Sequence, residues 1–374
     1  MKLKYHFLSG LILACGLGLS SCNDSFLERN PKDQLSDVSF WKTADDATKY
    51  ATGIYLYLIE PENHTIMTDC YTDNAIPVHV GAEQGVLSAG TAVSSNPHFL
   101  QLWQAAYETI RRCLIFYEHI GEVSMNEKDK AQLTAEVQFL EAFAYHNLWK
   151  YMGGVPILDH PLQLNEKLPA RSSADETYDY VVKLLDKAAP NLPEIRTAAD
   201  HGKASAGACY ALKARMAFYN HKYDVAEAAA EQVMQTGKFG LYPNYGDLFL
   251  PVAETCNEIL FDREYVENPK NGNEGSVIGL FFSPCDFGGW EALSPTQDMV
   301  DAYPCTDGKS IAESPLYDPA KPFENRDPRL AYSIFWPGTT CGPMTFNNKY
   351  MGDGSHTRTG YCMRKYINPD NYGI

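Results

Sequence analysis

The chain has 374 residues, 45% of them hydrophobic and 21% charged, with 31 basic residues against 47 acidic ones and a formal net charge of −16. That length and apolar content supply one or two domains with a sizeable core. The acidic balance, without a basic run or a zinc-finger spacing, argues against nucleic acid as a partner.

Lys2 and Lys4 precede an apolar run over 7–19 that is short and glycine-rich for a span of about 20 residues, and so reads as a signal peptide. It ends in Leu19-Ser20-Ser21-Cys22. The small residues let the segment enter a peptidase groove extended, and a thiol at Cys22 is what a diacylglyceryl transferase would alkylate; the pattern resembles the bacterial lipobox. Residues 1–21 are therefore expected to be a lipoprotein signal peptide and 22–42 a lipid-anchored tether and N-terminal segment, polar over 23–34 and holding Pro31. Removing 1–21 takes away Lys2 and Lys4 and no acid, which moves the net charge from −16 to −18. The alternative is an ordinary secretory signal with an incidental cysteine.

From 43 to 237 the apolar residues recur at helical spacing. Thr43 is a good N-cap with Asp45 and Asp46 in the first turn, leading into Ala47, Tyr50, Ala51, Ile54 and Leu58. A second helix, 97–120, would bury Leu102, Ala106, Ile110, Cys113 and Tyr117. A third, 127–151, carries Leu133, Val137, Leu140, Ala144 and Leu148 and stops at Gly153-Gly154-Val155-Pro156. Ser173, Asp175 and Glu176 open a fourth, lined by Tyr178, Val181, Leu184, Leu185 and Ala188. Two alanine-rich helices, 203–219 and 223–236, follow around Asn220-His221-Lys222, with Ala211, Ala214, Ala226 and Ala229 permitting close approach. That pair resembles a tetratricopeptide unit of imperfect period, the alternative being an unrelated helical hairpin. Beyond 237 the texture turns to Gly, Pro, Asn and aromatic residues, with strand-like pieces at 258–263 and 277–282 and a brief helix near 296–302.

Outside the leader and Cys22, eight cysteines remain and none falls in a CxxC pair. Cys113 and Cys209 lie on apolar helical faces and read as buried thiols, while those from Cys256 onward could supply one or two bridges. No HExxH helix, GxSxG elbow, phosphate-binding loop or dinucleotide fingerprint occurs, and the histidines lack metal-ligand spacing. No catalytic residue, metal or cofactor is expected, and His146 reads as a hydrogen-bonded core residue.

Several blocks carry a family resemblance in one consistent order: FLERNPKDQLSDVSFWKTADDATKYATGIY, LTAEVQFLEAFAYHNLWKYMGGVPIL, PARSSADETYDYVVKLLDKAAPNLP, KASAGACYALKARMAFYNHKYDVAEAAAEQVMQTGKFGLYPNYGDLF, NEILFDREYV, SPTQDMVDAYPCTDGK, NRDPRL and TGYCMRKYINPD. They resemble the SusD/RagB family of outer-membrane nutrient-binding lipoproteins of the Bacteroidetes. The resemblance implies a mainly α fold. A tetratricopeptide-like helical superhelix over 43–237 would support an irregular, loop-rich region over 238–374 with few short strands, carrying the ligand site. It also implies a cell-surface lipoprotein, held in the outer membrane by lipid through Cys22. Such a protein binds an oligosaccharide, or for some members a peptide, and passes it to a SusC-like TonB-dependent transporter without breaking a bond. Family members usually run on well past the RKYINPD block, so 238–374 is expected to be truncated.

The family comparison places the ligand groove around 69–79 and 281–290. Trp290 and Phe287 are the expected stacking platforms, Gly288 and Gly289 would allow close approach, and Asp73 and Asn74 are the expected hydroxyl partners. The competing readings are Trp290 in the core and Asp73 capping a turn. Trp41, Trp103 and Trp149 are expected in the core, and Arg326 and Arg329 in a salt-bridged turn around Asp327-Pro328. Two other functions stay open: a surface glycoside hydrolase, for which no motif selects a carboxylate pair, and a protein-interaction scaffold without a ligand.

Overall fold

The computed structural model describes residues 40–58, 65–79, 83–265, 277–347 and 357–368. The signal peptide, Cys22 and the tether over 23–34 lie outside the described residues.

Local signals set the helices. Helix α1 (Ala44–Ile54) starts in a capping box, Asp46 N–H donating to Thr43 Oγ1 at 3.3 Å and Thr43 N–H to Asp46 Oδ2 at 2.9 Å. After the short α2 (Glu83–Ser88), Asn96 caps α3 (Pro97–His119) and Asn126 caps α4 (Glu127–Met152). Ser173 and Glu176 make a second capping box for α5 (Ala174–Ala188). Helices α6 (Ala206–Tyr219) and α7 (Tyr223–Gln235) close the series, with Ala226 and Ala229 buried. These helices pack in succession, α3 on α4, α4 on α5, α5 on α6 and α6 on α7, around one large apolar cluster. The expected mainly α, repeat-like architecture is what the chain adopts.

Helix α4 is enclosed on nearly all sides, so Glu136 and Glu141 are buried with its apolar residues. A buried carboxylate needs partners. Glu136 accepts from Arg196 Nη2 at 2.7 Å, both side chains being only 7% exposed. Arg196 Nε in turn donates to Ala204 O at 2.6 Å, and Ala204 N–H donates to the Tyr55 hydroxyl at 3.0 Å. Glu141 accepts from the hydroxyls of Tyr117 at 2.9 Å and Tyr180 at 2.5 Å. Burial pushes its carboxyl up to about 7 against the pull of those two donors. His146, on the same helix, is buried and held neutral, its pKa pushed down to about 3 by desolvation. Its Nδ1 has no hydrogen-bond partner among the described residues, so the expected hydrogen-bonded role is corrected for that nitrogen.

A second cluster joins Met67, Cys70 and Ala75 to Phe282, Phe287, Leu293, Phe335, Phe346 and Cys362. Residues 65–79 therefore leave the helical body and pack with the second half of the chain. Strands are few and short: β1 (Ala75–Pro77) pairs antiparallel with β2 (Leu293–Pro295), β3 (Ile334–Phe335) with β6 (Cys362–Met363), and β4 (Thr340–Cys341) with β5 (Met344–Thr345). The strand-like piece at 277–282 is instead a one-turn helix, α8 (Ile278–Phe282), and 258–263 is irregular. Short apolar runs do not separate strand from helix by periodicity, and neither segment has a pairing strand. Thr296 caps α9 (Gln297–Ala302), and Asp327 caps α10 (Pro328–Ser333).

The eight described cysteines are all free thiols, so those beyond Cys256 form no bridge, and Cys113 and Cys209 are buried as expected. Arg329 pairs with Asp327 at 2.6 Å as expected. Arg326 does not join that pair; it is buried and donates to the carbonyls of Pro322 at 2.8 Å, Val300 at 2.5 Å and Tyr303 at 2.8 Å. Among the described residues no helix is long and apolar enough to cross a membrane.

Two stability outcomes follow from α4. The Glu141 carboxyl titrates near 7 in the fold against an ordinary 4.5, so between those values the unfolded chain gives up a proton that the fold keeps, and stability falls as pH rises. Glu141→Gln removes that fall, and urea unfolding at pH 5 and pH 8 should show the variant gaining on the parent by on the order of 3 kcal/mol at the higher pH. His146 acts in the opposite sense below its ordinary pKa, but it is common to both chains and cancels in the comparison; a pH-independent difference would refute the assignment. Glu136→Ala leaves the Arg196 guanidinium buried without its counter-ion, and the same unfolding assay should show a loss of about 3–5 kcal/mol.

Candidate functional site

The β1–β2 ribbon carries the 65–79 segment onto the 281–296 segment. Ala75 lies opposite Pro295 and Pro77 opposite Leu293, and beyond each end backbone hydrogen bonds continue, Thr296 N–H to Asn74 O at 2.9 Å and Val78 N–H to Ala292 O at 3.1 Å. A third layer backs the ribbon: Thr359 Oγ1 donates to Pro295 O at 2.6 Å, and Arg358 Nη1 donates to Pro77 O at 3.3 Å.

Trp290 is 51% exposed and leans on Phe281 at a centroid distance of 5.6 Å. Its backbone is fixed, since Trp290 N–H donates to Leu280 O at 2.8 Å and the flanking Glu291 and Ala292 N–H groups donate to Ser283 O and Phe281 O. This loop closes only because of its two glycines. Gly288 has φ +89°, and a Cβ on Gly289 would lie 2.2 Å from the Ser283 carbonyl oxygen. The close approach that Gly289 permits is thus to the chain itself. An apolar ring held half in water on a rigid loop offers a flat face for stacking.

Phe287 lies elsewhere. It is 3% exposed and packs edge-on against Phe335 at 5.5 Å inside the second cluster, which corrects its expected role as a platform: its ring has no free face. Asp73 is exposed and Asn74 partly so. Their backbone carbonyls accept from Thr296, the Asp73 carbonyl from its hydroxyl, and Thr72 Oγ1 accepts from the Asn74 N–H at 3.1 Å. They mark the end of the ribbon opposite to Trp290, within about 20 Å of it by chain reach. The structure thus brings Asp73, Asn74 and Trp290 onto one ribbon, but not into contact.

Of the remaining tryptophans, Trp41 is buried and Trp149 half-buried, with its Nε1 donating to Ala174 O at 3.0 Å. Trp103 departs from the expected core position. It is 37% exposed and pairs with Tyr107 at 4.6 Å on the outer face of α3, next to exposed Leu100. Helical periodicity placed it one face away from the buried line, and that offset was the available signal.

A cavity of about 240 Å³ lies between the segment joining α5 to α6 and the 255–262 segment, with Arg196, His201, Lys203, Asn257 and Asp262 in its wall. At its edge His201 Nδ1 lies 2.6 Å from Glu264 Oε1 and 3.6 Å from Asp262 Oδ2. Burial, opposed by the nearby His201, pushes the Asp262 carboxyl up to about 6. No spacing in the sequence could have announced this group, because its parts come from distant segments.

Comparison with known proteins finds matches over two stretches of the chain. A SusD-like family model described as "starch-binding associating with outer membrane" matches residues 25–218, and a model described as "SusD family" matches 245–374. A SusD-like protein of Formosa agariphila is 28% identical over 305 residues, 76% of this chain and 58% of that protein. A SusD-like protein of Bacteroides ovatus is 22% identical over 327 residues, 79% of this chain and 57% of that one. The chain thus spans somewhat more than half the length of these relatives. Among solved structures, a SusD-like protein of Bacteroides fragilis superposes with a TM-score of 0.79 at 26% identity, covering 92% of this chain and 72% of that one. The surface glycan-binding protein A of Bacteroides thetaiotaomicron, solved with laminarihexaose, shares the fold at a TM-score of 0.69 and 19% identity, covering 87% and 71%. With family matches over both halves of the sequence and the helical fold of solved SusD-like proteins, the chain belongs to the SusD/RagB family.

Proposed function

We propose that this protein binds a glycan at the cell surface without cleaving it. The observation that carries the reading is Trp290, half-exposed on a loop locked by backbone hydrogen bonds and by its glycines. A pyranose offers an apolar C–H face to such a ring and hydroxyls to polar neighbours, and Phe281, tilted 54° to the indole, props the ring from one side. Asp73 and Asn74, at the other end of the ribbon, suit a ligand of several sugar units rather than one. Family membership and the glycan-binding solved neighbours support the same ligand class.

In the fuller reading, Cys22 carries a lipid that holds the protein on the outer membrane, and the helical body docks on a SusC-like TonB-dependent transporter that receives the glycan. A short tether raises the effective concentration of such a lid over its channel. The division into a helical region over 43–237 and a ligand-bearing region over 238–374 fits this reading, with 65–79 contributing to the second.

Affinity electrophoresis in gels containing a panel of polysaccharides tests the binding claim: at least one should retard the protein without release of reducing sugar. Trp290→Ala should weaken that retardation by about 1–3 kcal/mol and leave thermal stability near that of the parent. Phe287→Ala should do the reverse, costing about 3–5 kcal/mol of stability through a core cavity. Release of reducing sugar, or unchanged retardation of a folded Trp290→Ala protein, would count against binding at this surface.

A further inference from the structure

We propose that His201, Asp262 and Glu264 form a binding site for a zinc-class divalent cation. Their ligand atoms, one imidazole nitrogen and two carboxylate oxygens, all lie within 4.8 Å of one another. Zinc bonds of about 2.0–2.1 Å in a tetrahedral arrangement separate neighbouring ligand atoms by roughly 3.3 Å. His201 and Asp262 stand near that spacing at 3.6 Å, and the 2.6 Å hydrogen bond between His201 and Glu264 opens by less than 1 Å when Glu264, 47% exposed, swings outward. The mixed nitrogen and oxygen donor set favours zinc, nickel or copper over calcium or magnesium, which take oxygen ligands.

Three features fit a cation at this place. Asp262 Oδ1 is buried and has no hydrogen-bond partner among the described residues, an arrangement that costs stability unless something positive sits beside it. The cationic side chains in the neighbouring cavity wall are committed elsewhere, Lys203 to Asp200 at 2.7 Å and Arg196 to Glu136 at 2.7 Å, so the two carboxylates meet no further cation there. Gly202 has φ +78°, and a Cβ at that position would come within 2.7 Å of Glu264 Cγ; the glycine is what lets Glu264 reach His201. The adjoining cavity has room for the water that completes a three-ligand zinc shell. A bound cation would clamp the segment before α6 to the 262–264 segment, tying the helical body to the start of the loop-rich half.

Isothermal titration of the purified chain with zinc chloride at neutral pH tests the site, read together with thermal unfolding. The expected result is a micromolar site whose filling raises the melting temperature, which calcium and magnesium do not reproduce. His201→Gln and Glu264→Gln should each weaken it by at least about tenfold. Glu264 is exposed, so its variant keeps the test sound if the His201 change disturbs folding. His160→Gln should leave the affinity unchanged, because His160 meets Asp159 and Glu166 through different ring nitrogens and cannot bind both with one ion. No zinc binding by the parent chain, or equal binding by the folded Glu264→Gln and His201→Gln variants, would overturn the assignment and leave His201 as a plain ion-pair partner of the two acids.

Discussion

The fold depends on what happens to two glutamates, Glu136 and Glu141, buried in the middle of α4. Helix α4 is surrounded by α3, α5 and the segment before α6, and its inward faces include Glu136 and Glu141 as well as leucine, valine and phenylalanine. Each carboxylate fixes a neighbour. Glu141 draws hydroxyls from Tyr117 on α3 and Tyr180 on α5, so one buried group sets the relation of three helices. Glu136 holds Arg196, and Arg196 holds Ala204, which places the start of α6. Apolar packing alone tolerates small slides between helices; a buried acid with fixed donors does not. The same chain of contacts positions the wall of the cavity beside His201, since Arg196 and Lys203 stand on the strap that Glu136 pins.

The second half is organised differently. It has few helices and only two- or three-residue strands, and its order comes from an aromatic and cysteine-lined cluster joined to residues 65–79. The ribbon that results is too short to be stable alone. It is held because Phe282, Phe287 and Phe335 pack beneath it and because the 357–359 segment bonds to both of its strands. A loop set on such a base is held without belonging to a regular sheet, and this is how it can present a tryptophan to solvent without losing it to the core.

Much of the helical half was legible because its signals are local. Thr43, Ser173 and Pro97 mark starts that the structure keeps, and the apolar lines on α1, α3, α4 and α5 are buried as their spacing requires, except that Tyr50 and Tyr117 are half-buried. The second half was less legible because its decisive contacts are distant in sequence. The strand partner of Ala75 is Pro295, and the one-turn helix at Ile278–Phe282 has the composition of a strand. Phe287 and Trp290 flank the same glycines, and composition cannot say which ring turns inward; the closure of the loop onto Ser283 decides it. His201, Asp262 and Glu264 carried no motif at all.

Trp290 is the proposed contact with ligand, and intrinsic fluorescence reads that contact most directly. Of the described tryptophans it is the most exposed, so covering its ring with an apolar sugar face should move the emission to shorter wavelength. Titrating the protein with a polysaccharide that retards it in affinity gels should give a saturable blue shift that Trp290→Phe abolishes while its far-ultraviolet circular dichroism stays that of the parent. The same shift in Trp290→Phe, or saturable binding with no spectral change in the parent, would place the ligand elsewhere and contradict the account.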